Sequence, residues 1–230
     1  DNFEAYLEAN GMGDGIAFND SVLTSNINTV STLSVNNKYI SSLTGIEDFT
    51  SLSYLQCDYN QITSLDVSNN FALTQLHCGN NQLTYVDISQ NPNIFSFSCE
   101  YNLLTILDLY QNTNLNDFWC NNNQLTNLDL SNNIALTWLR CESNLLTTLD
   151  LRNGYNININ NLETTNNPNL YCIDVDNPAL ANLMWSSANN SIDPWTSFSA
   201  NCSSDLGCID STACNYNAAA TIDDGSCILS

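Results

Sequence analysis

Apolar residues recur through the middle of this chain with a step of 21. Leu55, Leu76, Phe97, Phe118 and Leu139 form one column, and Cys57, Cys78, Cys99, Cys120 and Cys141 form another two residues later. A third column, five residues past each cysteine, holds Ile62, Leu83, Leu104, Leu125 and Leu146. Two polar columns keep the same step: Asn60, Asn81, Asn102, Asn123 and Asn144, then Asp66, Asp87, Asp108, Asp129 and Asp150. Copies held in register this way mark a tandem repeat. Leu76 and Cys78 alternate with other residues at the period of a strand, so both point inward and their neighbours point outward. Leu65 and Val67 alternate likewise, which predicts a second extended segment on the far side of the unit. Twenty-one residues leave little room for a helix as well. Stacked strands of the first kind form a parallel sheet on the concave face of a solenoid.

The polar columns need their own reasons. The Asn amides are expected to turn inward and satisfy backbone groups freed at each bend, stacking as a ladder. The Asp column is less comfortable, because coils at strand spacing, about 4.8 Å apart, would line up like charges. Each Asp can instead cap its own turn by accepting backbone N–H bonds near Ser68, Ser89 or Ser131. The competing reading is a row of cations bridging adjacent coils. One monodentate carboxylate per coil gives few ligands, which favours the turn.

The unit Leu73-Thr74-Gln75-Leu76-His77-Cys78-Gly79-Asn80-Asn81-Gln82-Leu83 resembles the leucine-rich repeat segment LxxLxLxxNxL, with Cys in the third apolar slot. Leu65-Asp66-Val67-Ser68-Asn69-Asn70 resembles the LDLSNN tract of short bacterial leucine-rich repeats. Irregular copies flank the array at Leu33 and Val35, and at Leu162 and Thr164 with Asn167 in the Asn slot. A truncated strand at Ile173 and Val175 is expected to close the stack. The resemblance covers residues 22–180. It implies a leucine-rich repeat solenoid with a parallel concave β-sheet, extended convex segments, a small helical N-terminal cap and a disulfide-stapled C-terminal cap. The division that follows is an N-terminal cap at 1–30, the solenoid at 31–180, a C-terminal cap at 181–206 and a small disulfide module at 207–230.

The ends depart from the repeat. Asp1 to Asn10 reads as a short helix with Phe3, Tyr6 and Leu7 on one face, broken by Gly11, Gly13 and Gly15. A solenoid needs its open ends covered, and this segment suits that task. Asp14-Gly15-Ile16-Ala17-Phe18-Asn19-Asp20 partly resembles a calcium loop but lacks the acidic spacing and the closing Glu. At the other end, Leu170 to Val175 and a Trp-containing stretch up to Cys202 resemble the C-terminal cap of secreted leucine-rich repeat proteins of the Bacteroidetes type. That resemblance implies a Cys172–Cys202 pair. Residues 207–227 resemble the GCxDxxACNYNxxAxxDDGSC module of surface and secreted proteins from the same bacteria, with Ala218 where Pro is common. A module this small needs a staple. Cys208–Cys227 is the expected pair, with Cys214 able to take the place of Cys208. The five ladder cysteines are expected to be buried free thiols.

Composition narrows the function. The 230 residues carry 24 acidic and 3 basic side chains, a formal net charge of −21, and 40 Asn. Such a surface repels nucleic acid and anionic membranes. No apolar run approaches the 18 residues a membrane-spanning helix needs. Disulfides imply an oxidising exterior, and the lack of a signal peptide reads as a mature or trimmed chain. The expected location is therefore secreted, or on the surface of a bacterium. Asp210, Asn215, Asn217, Asp223 and Asp224 gather oxygen ligands in the tail module. Calcium is the cofactor they would suit; the competing reading is that Asp-Asp-Gly is a surface turn.

No catalytic residue is assigned. His77, the one histidine, has no nucleophile placed beside it by the sequence, and neither zinc spacing nor a phosphate loop is present. Binding is better supported, because the outward columns vary while the core columns hold. Tyr54, Gln56, Tyr59, His77, Tyr101, Trp119, Trp138, Arg140 and Glu142 form the candidate binding set, and exposed Trp and Tyr on a rigid sheet favour a partner. The expected function is non-catalytic recognition of a protein or peptide on the concave face, in adhesion or recognition. The alternatives are a carbohydrate-binding adhesin, since Trp stacks on sugar rings, and a surface-fibre subunit that associates with itself.

Overall fold

The computed structural model describes residues 2–16, 19 and 21–229. The elements run α1 (Asn2–Ala9), α2 (Thr24–Ile27), β1 (Thr32–Ser34), β2 (Tyr54–Gln56), β3 (Gln75–His77), β4 (Ser96–Ser98) and β5 (Asp117–Trp119). They continue through β6 (Asn127–Asp129), β7 (Trp138–Arg140), β8 (Thr148–Asp150), β9 (Asn161–Glu163) and β10 (Cys172–Asp174). The chain ends in α3 (Pro178–Met184), β11 (Ser197–Ser199), α4 (Cys202–Asp205), β12 (Leu206–Gly207) and β13 (Ile222–Asp223). A seven-stranded sheet of order β1-β2-β3-β4-β5-β7-β9 lines one face, and a four-stranded sheet of order β11-β10-β8-β6 lines the other. This is a leucine-rich repeat solenoid.

The 21-residue step is the sheet register. Leu55, Leu76, Phe97, Phe118 and Leu139 are successive Cα partners and all are fully buried. Burying each such side chain stabilises the fold by about 1.5–3 kcal/mol. Phe97 and Phe118 stack at 5.7 Å with an interplanar angle of 11°. Cys57, Cys78, Cys99, Cys120 and Cys141 are buried free thiols. Burial pushes all five well above the usual thiol range, so they act as small core hydrophobes and not as nucleophiles.

The Asn ladder binds coil to coil. Asn81 Nδ2 donates to the Cys57 and Cys78 carbonyls at 3.0 and 3.1 Å, and its Oδ1 accepts from Ile62 N–H at 3.0 Å. A second ladder, which the sequence reading missed, runs through Asn70, Asn91, Asn112 and Asn133, all fully buried. Asn112 Nδ2, for example, donates to Ile88 O at 3.1 Å and Asn91 O at 3.0 Å. Its signal was present as another 21-residue column inside the LDLSNN tract.

Turn capping is what the Asp column does. Asp66, Asp87, Asp108, Asp129 and Asp150 each accept from the backbone N–H two residues on, at 2.8–3.0 Å. Asp66 lies opposite Asp87, while Asp129, Asp150 and Asp174 are in register. Arg152 bridges two of them, at 2.5 Å to Asp150 and 3.5 Å to Asp174.

One expectation is corrected at the C-terminal end. The strand at Ile173 does not close the concave stack; β10 lies in the other sheet, between β8 and β11. Ile173-Asp174-Val175 repeats the convex phase of Leu149-Asp150-Leu151, and Asp174 pairs with Asp150. The concave edge is covered instead by the segment that follows α3. Thr164 N–H and Oγ1 both donate to Ser191 O, and the Asp193 carboxylate accepts from Asn166 and Asn167 N–H. Disulfides join Cys172 to Cys202 and Cys208 to Cys227, leaving Cys214 free and exposed. At the other end α1 lies on the first coil: Phe3 and Leu7 are buried, Phe3 meets Phe49 at 6.4 Å, and Tyr6 Oη donates to Ser34 O at 2.8 Å. Asp1 of the expected helix, and Ala17, Phe18 and Asp20 of the calcium-loop resemblance, lie outside the described residues.

Candidate binding face

The outward side chains of β2, β3, β4, β5, β7 and β9 form a shallow valley. Its floor is β4, where Ser96 and Ser98 are small and buried between larger neighbours. Tyr54 and His77 form one wall, with ring centroids 5.6 Å apart. Trp119 and Trp138 form the other at 6.4 Å. Trp138 is 44% exposed, whereas Trp119 is half-buried, with its Nε1 enclosed and unpartnered among the described residues. The Arg140 guanidinium sits 5.5 Å from the Trp119 ring and pairs with Glu142 at 2.9 Å and Glu163 at 3.1 Å. A polar groove of about 680 Å³, lined by Asn161, Glu163, Asn189 and Asp193 among others, extends the valley at its C-terminal end.

The expected set is divided by the structure. Tyr54, Gln56, His77, Trp119, Trp138 and Arg140 stand on the sheet itself, and Glu142 follows directly after Cys141. Tyr59 and Tyr101 sit one step further on, at the rim. They occupy the left-handed turn position, with φ of 56° and 53°, in the same column as Asn80, Asn122 and Ser143. Asn enters that region with little penalty; a bulky side chain costs on the order of 1 kcal/mol. Both tyrosines are exposed.

Of the acids beneath the valley, the candidate set held Glu142 and left out Asp58, Glu100 and Asp117. Asp58 is buried, and its Oδ1 accepts from Gly79 N–H at 2.7 Å. Gly79 leaves the space that the Glu100 side chain fills, since a Cβ there would overlap the Glu100 carboxylate. Burial raises the pKa of Asp58, Glu100, Asp117 and Glu142 above the ordinary carboxylate range, and the charge of Asp58 adds to the effect at Glu100. The column was visible in the sequence; its burial was not.

His77 does have a serine beside it. Its Nδ1 lies 2.9 Å from Ser98 Oγ, a proximity that strand-to-strand register creates and spacing along the chain does not reveal. The backbone N–H groups of Cys78 and Cys99, flanking the pair, donate to Ser98 O and Trp119 O in the sheet.

In the tail module four of the five proposed ligands cap a local turn, and Asn215 ties the module's two ends together. Asp210 accepts from Thr212 N–H and Oγ1, Asn217 from Ala219 N–H, Asp223 from Gly225 N–H and Asp224 from Ser226 N–H. Asn215 bonds Ser226 O and Ile228 N–H. The turn bonds hold Asp210 and Asp224 below the usual carboxylate range. Among the described residues, no three His, Cys, Asp or Glu side chains are grouped to hold a metal ion.

No protein-family model matches the chain, and no curated protein matches it by sequence. Solved structures do resemble it. A leucine-rich repeat protein of Leptospira interrogans is 27% identical with a TM-score of 0.50, over 52% of this chain and 33% of that one. Internalin C2 of Listeria monocytogenes is 20% identical with a TM-score of 0.53, over 86% of this chain and 92% of that one. The functional domain of InlJ from Listeria monocytogenes, described as including a cysteine ladder, is 27% identical with a TM-score of 0.42, over 68% of this chain and 46% of that one. The chain spans less than half the length of the Leptospira protein and of the InlJ domain. The likenesses to the Leptospira protein and to internalin C2 show the fold.

Proposed function

We propose that this chain is a non-catalytic recognition module, carried at a bacterial surface or secreted, that binds a protein or peptide in the valley of its concave sheet. The observation that carries the reading is an exposed Trp138, backed by Trp119 and Arg140, on a sheet whose inward columns are fully buried. Aromatic side chains held by a rigid base are the usual anchors of protein interfaces. Two disulfides support an oxidising location, and no helix among the described residues is long and apolar enough to cross a membrane. The His77–Ser98 pair is read as part of the binding floor, since the flanking N–H groups are held in the sheet and do not form an oxyanion hole.

Selection of a displayed peptide library on the full chain tests this. Trp138→Ala should weaken capture of the selected peptides at least tenfold. Tyr110→Ala, on the convex side, should leave capture within twofold. Equal losses in the two variants, or none, would place the interface elsewhere.

A further inference from the structure

Two tyrosines stand where the backbone penalises them. Tyr59 and Tyr101 hold the left-handed position of their coils, with φ of 56° and 53°, in a column otherwise filled by Asn80, Asn122 and Ser143. A bulky side chain at positive φ is strained, and native proteins keep such strain most often at binding and active sites. Internal packing does not account for it. Tyr59 is 62% and Tyr101 53% exposed, and neither makes a side-chain hydrogen bond or a ring contact among the described residues. The side-chain amides of Asn80 and Asn122 are also without hydrogen bonds there.

Backbone bonds fix the spacing of this column. Tyr59 N–H donates to Gly79 O at 3.1 Å, Asn80 N–H to Glu100 O at 2.8 Å, Tyr101 N–H to Asn121 O at 3.0 Å and Asn122 N–H to Glu142 O at 3.0 Å. Ring, amide, ring and amide thus follow one another at one-coil steps, which puts the two tyrosines about 9.6 Å apart at strand spacing. The column carries no charge. Neither does the exposed column two residues on, Gln61, Gln82, Leu103, Gln124 and Leu145, although the chain as a whole carries −21. Such a strip suits an uncharged ligand whose own repeat is close to that distance. An extended peptide strand is out of step, because its same-face side chains recur every ~6.7 Å. A polyproline II segment is in step, since its three-residue turn rises about 9.3 Å and returns every third side chain to one face. Prolines dock on aromatic rings, and the backbone carbonyls, unused within that helix, can accept from Asn amides. The segment is stiff before it binds, so little ordering is lost on a rigid rim.

We propose that the rim column of Tyr59, Asn80, Tyr101 and Asn122 is a second binding site, for a proline-rich segment of a partner protein in the polyproline II conformation. One proline rests on each tyrosine, and carbonyls between them meet the two amides. Trp138 opens its strand, whereas Tyr59 and Tyr101 follow the ends of theirs. The rim site therefore does not depend on the valley reading above.

Fluorescence anisotropy of the full chain with labelled decaproline tests it, against a flexible Gly-Ser decapeptide. Decaproline should bind at least tenfold tighter. Tyr101→Asn, which installs the residue the column holds elsewhere, should weaken decaproline at least fivefold without lowering the melting temperature, because it relieves strain. Tyr110→Asn, at an exposed tyrosine of the convex side, should leave binding within twofold. Equal affinity for the two peptides, no binding of decaproline, or a Tyr110→Asn loss as large as that of Tyr101→Asn would overturn the proposal. A melting temperature lowered by Tyr101→Asn would make that tyrosine structural and overturn it too. A neutral β-1,4-linked glucan hexasaccharide is the competing periodic ligand. Its binding through Tyr101, with none of decaproline, would assign the strip to a glycan instead. Peptides that need Trp138 would keep the valley standing whichever way the rim experiment falls.

Discussion

The convex Asp column and the concave acid row rise on the same 21-residue step, yet their carboxylates are used in opposite ways. Asp66 is held below its ordinary pKa by the Ser68 hydroxyl and N–H. At Asp150 burial pushes upward, but the Arg152 side chain, N–H and charge together outweigh it. Across the coil, burial dominates at Asp58, Glu100, Asp117 and Glu142 and raises each of them. The convex acids serve their own backbone and finish the turn. The concave acids are half-enclosed, and Glu100 and Glu142 each keep one buried oxygen without a partner among the described residues.

The same contrast holds between two buried asparagines, and removing them should give the largest effect. Asn102 uses both ends of its amide: Nδ2 donates to Cys78 and Cys99 carbonyls, and Oδ1 accepts from Leu83 N–H. Asn102→Ala strands those groups and should cost about 3 kcal/mol in urea unfolding, since each buried unmet group costs about 1–3 kcal/mol. Asn121→Ala removes an oxygen that has no partner among the described residues and should cost less than about 1 kcal/mol. Equal costs would erase the distinction between the ladder and the concave row.

A smaller effect should appear in pH dependence, with opposite signs for the two columns. A carboxylate whose folded pKa is lowered contributes stability that is present above its unfolded pKa and lost as pH falls through the folded value. Asp66→Asn should therefore make acid unfolding shallower. A carboxylate whose folded pKa is raised opposes folding above that value, and its penalty lifts as pH falls through it. Glu100, which senses Asp58 and Arg140, is of this second kind. Glu100→Gln should raise the melting temperature at pH 7 and lose that advantage below the raised pKa. Melting curves from pH 7 down to pH 3 check both signs.

The smallest effect is expected in the tail. Four of its five oxygen-bearing side chains cap turns like the convex Asp column, so EDTA should leave the melting temperature unchanged within the error of calorimetry. A rise of several degrees on adding calcium would instead bring the ion back to Asp210, Asp223 and Asp224.

Much of this arrangement was legible in the residues. The Leu, Cys and Asn columns gave the solenoid, because a strict step with alternating apolar positions has one stacked solution. A staple in the tail followed from a module too small to fold unaided, and the structure pairs Cys227 with Cys208, leaving Cys214 free. Ile173-Asp174-Val175 was misplaced, because two extended segments per coil share one alternation and only the phase of Asp174 tells them apart. The second Asn ladder was overlooked inside a tract read as a turn. Tyr59 and Tyr101 were counted on the face, although the strand ends three residues earlier and the backbone turns left-handed beneath them.

By itself the sequence determined the repeat, the inward columns, the acidity and the need for a staple in the tail, since each follows from periodicity, composition or size. Only the tertiary structure decided which acids are buried, which amide oxygens find a donor, and that Ser98 meets His77. Those outcomes depend on neighbours one coil away, 21 residues distant in the chain but side by side in the sheet. Proton affinity and hydrogen-bond satisfaction respond to that spatial neighbourhood, so identical residue types on one repeat step acquire different roles on its two faces.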